Sequence, residues 1–473
     1  MKDSKPRHDP TMRTLEPWVE RLVRIPGTIE CPVMRILGRD GEEPVFSGSG
    51  NIYIRSRTNI EFVMHARPRD SSEAFKKLVR ARKNPHDQED QFRLLCTEYD
   101  GTEWNCGWTS VRLGETSADA WRLSGPLHAL STVVSGPTVC EKSGVEVVYD
   151  SPLRLPLPMN METTVRRGAH EVRRLRTRGA KEMQVAGSEI GFFHSADGDL
   201  IWGVATTSDS FVHPYAENWI SEPLRILLGD LAFPRLVARN LGKGSAKIWL
   251  RPAPLHRADV ITSSILQVDP YFACDRFWDL YCDILAMVIF AKDESGNPNF
   301  EPHPLTRYYE ELAQASIASN WVLCMTLASI AEGLVKLLVP QKSRNVNIDP
   351  RSFEDLKRHI KKWNGDSNLR SRILNSVKLA EEKGVVQLLK ELCKEEKVES
   401  GHVETWREVR NQVMHGSLVS PWSDRELIMR MKLLTEMVHR LGLAYINKCV
   451  SALDEKGAYP GPKLGAIFQS FPS

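Results

Sequence analysis

The spacing of apolar residues changes once along this chain, near residue 270, and the change divides it. Between about Glu30 and Pro252, apolar and polar residues alternate in short runs with a period of two, as strands with one buried face require. Ile52 and Ile54, then Ile60, Phe62 and Met64, alternate on either side of a turn at residues 56–58. Phe92, Leu94 and Cys96 alternate up to Asp100-Gly101, and Trp104, Cys106 and Trp108 alternate away from it. That is a hairpin whose turn dipeptide accepts positive φ, with Trp104, Cys106 and Trp108 on one face. Asp197-Gly198 joins 189–194 to 200–205 in the same way. Residues 71–82 and 218–228 read as helices inside this region, and a short helix around 15–23 precedes it.

Beyond Pro270 the period lengthens to that of helices. Segments 272–290, 305–319, 320–339, 352–363, 369–383, 385–397, 402–415 and 425–452 are all predicted helical. In the last, Leu427, Met431, Leu434, Val438, Leu441 and Tyr445 recur in steps of four and three. Gly296-Asn297-Pro298, the stretch 340–350, Gly365 and Gly401 punctuate the helices. The expected class is α+β, a β-rich N-terminal region followed by an all-α bundle. Expected boundaries are a polar lead-in at 1–28, a β-rich region at 29–262 with a candidate division near 155, a bundle at 270–455 and a tail at 456–473.

Bulk properties narrow the functions without choosing one. At 473 residues the chain exceeds one ordinary core, so two or three domains are expected. Its net charge of +3 is too small for the whole surface to attract nucleic acid, so such a role needs a local patch. Nine cysteines without a Cys-x-x-Cys pair read as reduced core thiols and suggest neither zinc nor disulfides. No metal and no cofactor is expected. The apolar stretches 280–291 and 321–339 are interrupted by Asp283 and by Glu332 with Lys336, so no membrane span is expected, and a soluble, cytoplasmic protein is.

Two stretches carry candidate chemistry. On the predicted helix 402–415, Val403, Trp406, Val409, Val413 and Met414 form one apolar stripe. Arg410 lies four residues from both Trp406 and Met414 and so points along it, where an unpaired guanidinium is expensive unless it meets an anion or an interface. Asn411 and His415 are four apart on the neighbouring flank, where the amide could hold the imidazole. Gly416 marks the helix end, and the dipole there favours imidazolium. A permanent cation, a titratable ring and an amide suit a phosphodiester. Arg251 and His256 repeat the spacing, but the intervening Pro252 and Pro254 enforce an extended segment in which the two need not converge. The second stretch is basic: Arg166, Arg167, Arg173, Arg174, Arg176, Arg178 and Lys181 place seven cations within sixteen residues, offset by Glu171. It could grip a phosphate backbone, although no aromatic residue interleaves it for base stacking.

The stretch Trp406-Arg407-Glu408-Val409-Arg410-Asn411-Gln412-Val413-Met414-His415-Gly416, set late in a helical bundle, resembles the signature of HEPN domains: Arg, four to six residues, then His. Residues 326–334, with Glu332, look like that family's early bundle helix and its inward acidic residue. A β-rich front before such a bundle is similar to ApeA-type abortive-infection proteins. The resemblance covers about residues 300–450 and is architectural before that. It implies a metal-independent endoribonuclease, with Arg410, Asn411, His415 and Glu332 in the catalytic cluster of a homodimer. It further implies an RNA substrate such as tRNA and a phage-derived activator acting through the β-rich region. Members that are catalytically inert also exist, so a bundle that only dimerises or holds RNA is the alternative.

Overall fold

The computed structural model describes residues 14–459 apart from 40–42, 86, 88–89, 118–119, 151–152, 159–160, 168–169, 178, 196, 255–262, 294, 346–348, 380–381 and 417–424. Arg178, His256 and most of the predicted tail therefore lie outside the described residues. The class is α+β: an antiparallel β region followed by helices. Two compact units form. One comprises Met1–Arg225, Leu231–His256 and Val288–Pro302; the other comprises Ile226–Asp230, Arg257–Met287 and His303–Ser473.

The first unit opens with α1 (Glu16–Leu22) and the meander β1 (Gly27–Leu37), β2 (Pro44–Ile54) and β3 (Ile60–Pro68). Helix α2 (Ser71–Lys83) leads to β4 (Phe92–Thr97), β5 (Glu103–Thr109), β6 (Arg112–Thr116), β7 (Trp121–Pro126), β8 (Leu130–Ser135) and β9 (Ser143–Tyr149). There follow β10 (Met161–Arg167), β11 (His170–Thr177), β12 (Ala180–Val185), β13 (Ser188–His194) and β14 (Ile201–Thr206), then α3 (Ala216–Trp219), α4 (Glu222–Leu228, whose last residues belong to the second unit), β15 (Leu236–Gly242) and β16 (Ser245–Leu250). Fourteen of these strands join one sheet in the order β12-β13-β14-β9-β15-β16-β8-β5-β4-β1-β2-β3-β7-β6; β10 and β11 pair only with each other. The sheet thus runs without a break through strands from both sides of residue 155.

Local chemistry explains the punctuation. Gly101 and Gly198 take φ of +86° and +82° at the two Asp-Gly turns, the conformation that their missing Cβ permits. Asp70 caps α2 by accepting from the amides of Ser72 (2.8 Å) and Glu73 (3.1 Å). The single helix expected over 218–228 is instead α3 and α4, because Pro223 has no amide hydrogen to give the Trp219 carbonyl one turn earlier. β5 and β6 are one bent run interrupted at Ser110 and Val111. Its first half pairs with β4 and its second with β7, and Thr109 Oγ1 donates to Pro126 O at 2.6 Å where the ends meet. The enclosed side is lined by Met34, Ile36, Phe46, Phe62, Met64 and Trp104, all buried.

One expectation fails here. Trp104 and Cys106 are buried, but Trp108 is 44 % exposed. The pairing steps from Leu95↔Asn105 to Arg93↔Trp108, leaving one extra residue on β5 where Gly107 has φ of +66°. A bulge of this kind inverts the alternation, so Trp108 leaves the face of Trp104.

The second unit is helical. It contains α5 (Cys274–Phe290, whose last residues belong to the first unit), α6 (Pro304–Ala315), α7 (Asn320–Leu338), α8 (Pro350–Lys362), α9 (Ser367–Leu379), α10 (Val385–Lys394), α11 (Ser400–Met414) and α12 (Arg425–Glu455). These match the predicted segments closely, although Gly401, expected to separate two helices, lies in the first turn of α11. Helix α7 is central, touched by α6, α10, α11 and α12. At 19 residues it is long and apolar enough to cross a membrane, yet its apolar face is the bundle core: Leu327, Ala331, Leu334 and Val335 are buried. Between α6 and α12 the fully buried Tyr309 hydroxyl meets His439 Nδ1 at 2.9 Å.

Candidate functional site

Three contacts fix how α7, α11 and α12 lie. Trp406 Nε1 donates to Ala328 O at 3.0 Å, tying the middle of α11 to the first half of α7. Along α11 and α12, Glu399 pairs with Arg440 (2.7 Å), His402 faces Glu436 (3.7 Å) and Glu408 faces Arg430 (3.7 Å), so the two run antiparallel. Lys448 Nζ donates to Leu338 O at 2.7 Å, which makes α7 and α12 parallel. The C-terminal end of α11 therefore lies at the same end of the bundle as the first turns of α7 and α12.

That end carries the Arg-Asn-x-x-x-His stretch. Val403, Trp406, Val409 and Val413 are buried, as the stripe required, whereas Met414 in the last turn is 64 % exposed, a correction to the expected stripe. Arg410 is half-buried, its guanidinium 6.0 Å from the Trp406 ring centre. Its Nε is buried without a hydrogen-bond partner, and no carboxylate pairs with it among the described residues. Asn411 and His415 are both exposed. The hydrogen bond between them runs along the backbone, His415 N to Asn411 O at 3.1 Å; the amide side chain does not hold the ring. Gly416 follows with φ of +75°, ending the helix in the left-handed conformation expected of it.

Glu332 is not part of this cluster within one subunit. It lies four residues beyond Ala328, while Arg410 lies four residues past Trp406 in the opposite direction, a separation of about 12 Å along the axis. Its carboxylate takes the Lys336 ammonium at 3.0 Å instead. Of the basic run, Arg166 and Arg167 stand on β10 and Arg173, Arg174 and Arg176 on β11. The register sets Thr164 opposite Arg174, Glu162 opposite Arg176 and Glu171 opposite Arg166. Arg251 of the decoy spacing is on no helix, as its prolines dictate, and burial lowers its pKa.

Sequence reasoning missed three features of the bundle. Trp321, in the first turn of α7, has a buried Nε1 with no hydrogen-bond partner, a second orphan donor at the same end as Arg410. Met325, Ile428 and Met429 are 37 %, 49 % and 49 % exposed there, beside the exposed Met414. Ile428 and Met429 fall between Leu427 and Met431, which are half-buried on the predicted stripe, and that offset was a readable signal. His402 is buried and caps α11: its Nδ1 accepts from Glu399 N at 3.1 Å, so the ring proton sits on Nε2, toward Glu436. Burial lowers its pKa, which keeps the acceptor nitrogen unprotonated.

Among the described residues no three His, Cys, Asp or Glu side chains converge as a metal cluster would require. No protein-family model, no curated protein and no solved structure matches this chain.

Proposed function

We propose that the protein is a metal-independent endoribonuclease of HEPN type, active as a homodimer through its helical bundle. The observation that carries the reading is Arg410, held beside Trp406 with a buried Nε that has no partner, five residues before an exposed His415 at the open end of α11. An orphan guanidinium donor calls for an anion, and a phosphodiester supplies one. His415 takes the proton of the RNA 2′-hydroxyl, whose oxygen attacks phosphorus, and the 5′-oxygen leaves as it gains a proton. The products are a 2′,3′-cyclic phosphate and a 5′-hydroxyl. Arg410 carries the charge that builds on the phosphorane oxygens. A second copy would supply a second His415, dividing base and acid duties, and would cover Met414, Ile428 and Met429.

Asn411 is best cast as a contact to a phosphate oxygen, because its side chain does not reach the His415 ring. The arginines of β10 and β11 are proposed to recruit RNA, tRNA among the candidate substrates. Resemblance alone supports a cytoplasmic antiviral role, in which a phage component acts on the β-rich unit and releases cleavage of host RNA. The rival is an inert bundle that only dimerises or holds RNA. It gains weight from the lack of any bond that orients His415 within one subunit. Cleavage of an RNA strand in EDTA, set beside the same strand with 2′-deoxyribose at the cut position, separates the two. The nuclease cuts only the ribose form; equal survival of both strands, with phage lysate added, leaves the rival.

A further inference from the structure

The first unit contains a cavity of about 760 Å³ between α2 and the bent β5–β6 run, within the size range of small-ligand sites. Helix α2 already buries Ala74 and Leu78 in the core, yet it leaves Phe75 and Val79 52 % and 36 % exposed on a second apolar stripe that lines the cavity. Opposite stands Trp108, turned out of the core by the Gly107 bulge. Three large apolar side chains from two elements thus remain partly in water around one hollow, and covering them is favourable. Arg82, Arg112 and His128 line the same hollow, and no carboxylate pairs with either arginine among the described residues. Asp90 lines it too, but Arg80 answers its charge at 3.3 Å. Asp87 adds one negative charge to the lining, so Arg82 and Arg112 still leave a net cation over aromatic walls, while Asn84 and Gln91 offer acceptors and donors to the edge of a heterocycle.

We infer that this cavity binds a small aromatic anion of the nucleoside monophosphate class, the base against Phe75 and Trp108 and the phosphate toward Arg82 and Arg112. This site lies within the β-rich unit and does not depend on the nuclease reading. The test is equilibrium dialysis of the full chain against AMP, GMP, CMP and UMP, with inorganic phosphate as the control. At least one nucleotide should bind saturably at one site per chain, and more tightly than phosphate. Trp108→Ala and Phe75→Ala should each weaken it by roughly tenfold or more, the scale of a lost base–aromatic stack, and Arg112→Glu should do likewise. All three side chains are exposed, so the variants should melt as the native chain does. His415→Ala should bind as the native chain does, which separates this site from the proposed catalytic one. The proposal is overturned if none of the four binds at about 1 mM, the weak limit of a specific small-ligand site. Binding that survives the aromatic substitutions, or that disappears in His415→Ala, overturns it equally.

Discussion

The two ends of α11 treat polar residues in opposite ways. At its start, Glu399, His402, Glu436 and Arg440 are tied to one another by a capping bond at 3.1 Å, an ion pair at 2.7 Å and an imidazole 3.7 Å from a carboxylate, although His402 Nε2 itself is buried without a hydrogen-bond partner. At its finish, fifteen residues along the helix, Arg410 keeps an orphan Nε, and Asn411 and His415 stand in water. Both ends contain a histidine and an arginine nearby, so composition does not distinguish them. Partners do. A polar group whose bonds are satisfied inside the fold is consumed by stability; one left open is available to a ligand, substrate or second chain.

That contrast can be broken most sharply at His415. Replacing it by alanine should lower RNA cleavage by about 10²–10⁴-fold, the worth of a general acid or base, with no change in melting temperature because the ring is exposed. Buried groups of the bundle should behave inversely, moving stability but not chemistry. Asp283 is fully buried and its carboxyl is pushed up to about 7 by burial, with Asp279 nearby adding to the effect. Its folded pKa exceeds the unfolded value, so stability is full below the unfolded pKa near 3.8 and falls as pH rises toward 7. Asp283→Asn should therefore stabilise the bundle by up to about 4 kcal/mol at pH 8 and by almost nothing at about pH 3, read from denaturant melts.

His303 has the opposite sign. Its Nδ1 caps α6 by accepting from Leu305 N at 3.1 Å, and burial lowers its pKa to about 4. Stability is complete above the unfolded value of 6.5 and drains away as pH falls toward 4, by up to about 3 kcal/mol. His303→Asn, which can still cap, should flatten that limb. His402→Ala removes a capping bond and should cost about 1–2 kcal/mol while each folded molecule still cleaves RNA. Smallest of all, Glu332→Gln loses an exposed i,i+4 pair, about 0.5 kcal/mol at most, and leaves cleavage intact; a large loss of cleavage would return Glu332 to the site.

The legible part of the fold was the part written in local signals. Asp-Gly turns, Gly416, the steps of Leu427 to Tyr445 and the breakers between helices each act within a few residues, and the elements fell where they indicated, except at Gly401, which α11 includes. All but one of the misses share a cause, a geometry set by a partner strand or helix; the exception is the break before Pro223, which is local. Gly107 inverted the face of Trp108 only through its pairing with β4, although a glycine inside an alternating run was itself a warning. Pro223 split a helix that the apolar count had joined. For the candidate site, the stripe through Trp406 and the position of Arg410 followed from spacing. That Glu332 sits two turns away, and that Trp321 adds an orphan donor, depends on the antiparallel docking of α7 on α11, which spacing within one helix does not encode.

The most direct test of the open end of α11 is end-group analysis of RNA incubated in EDTA and phage lysate with native protein, His402→Ala and His415→Ala, each normalised to its folded fraction and set beside lysate alone. Expected are 2′,3′-cyclic phosphate ends from the native chain and from His402→Ala, and fewer by about 10²-fold or more from His415→Ala. Equal cleavage by His415→Ala would contradict the catalytic role of His415.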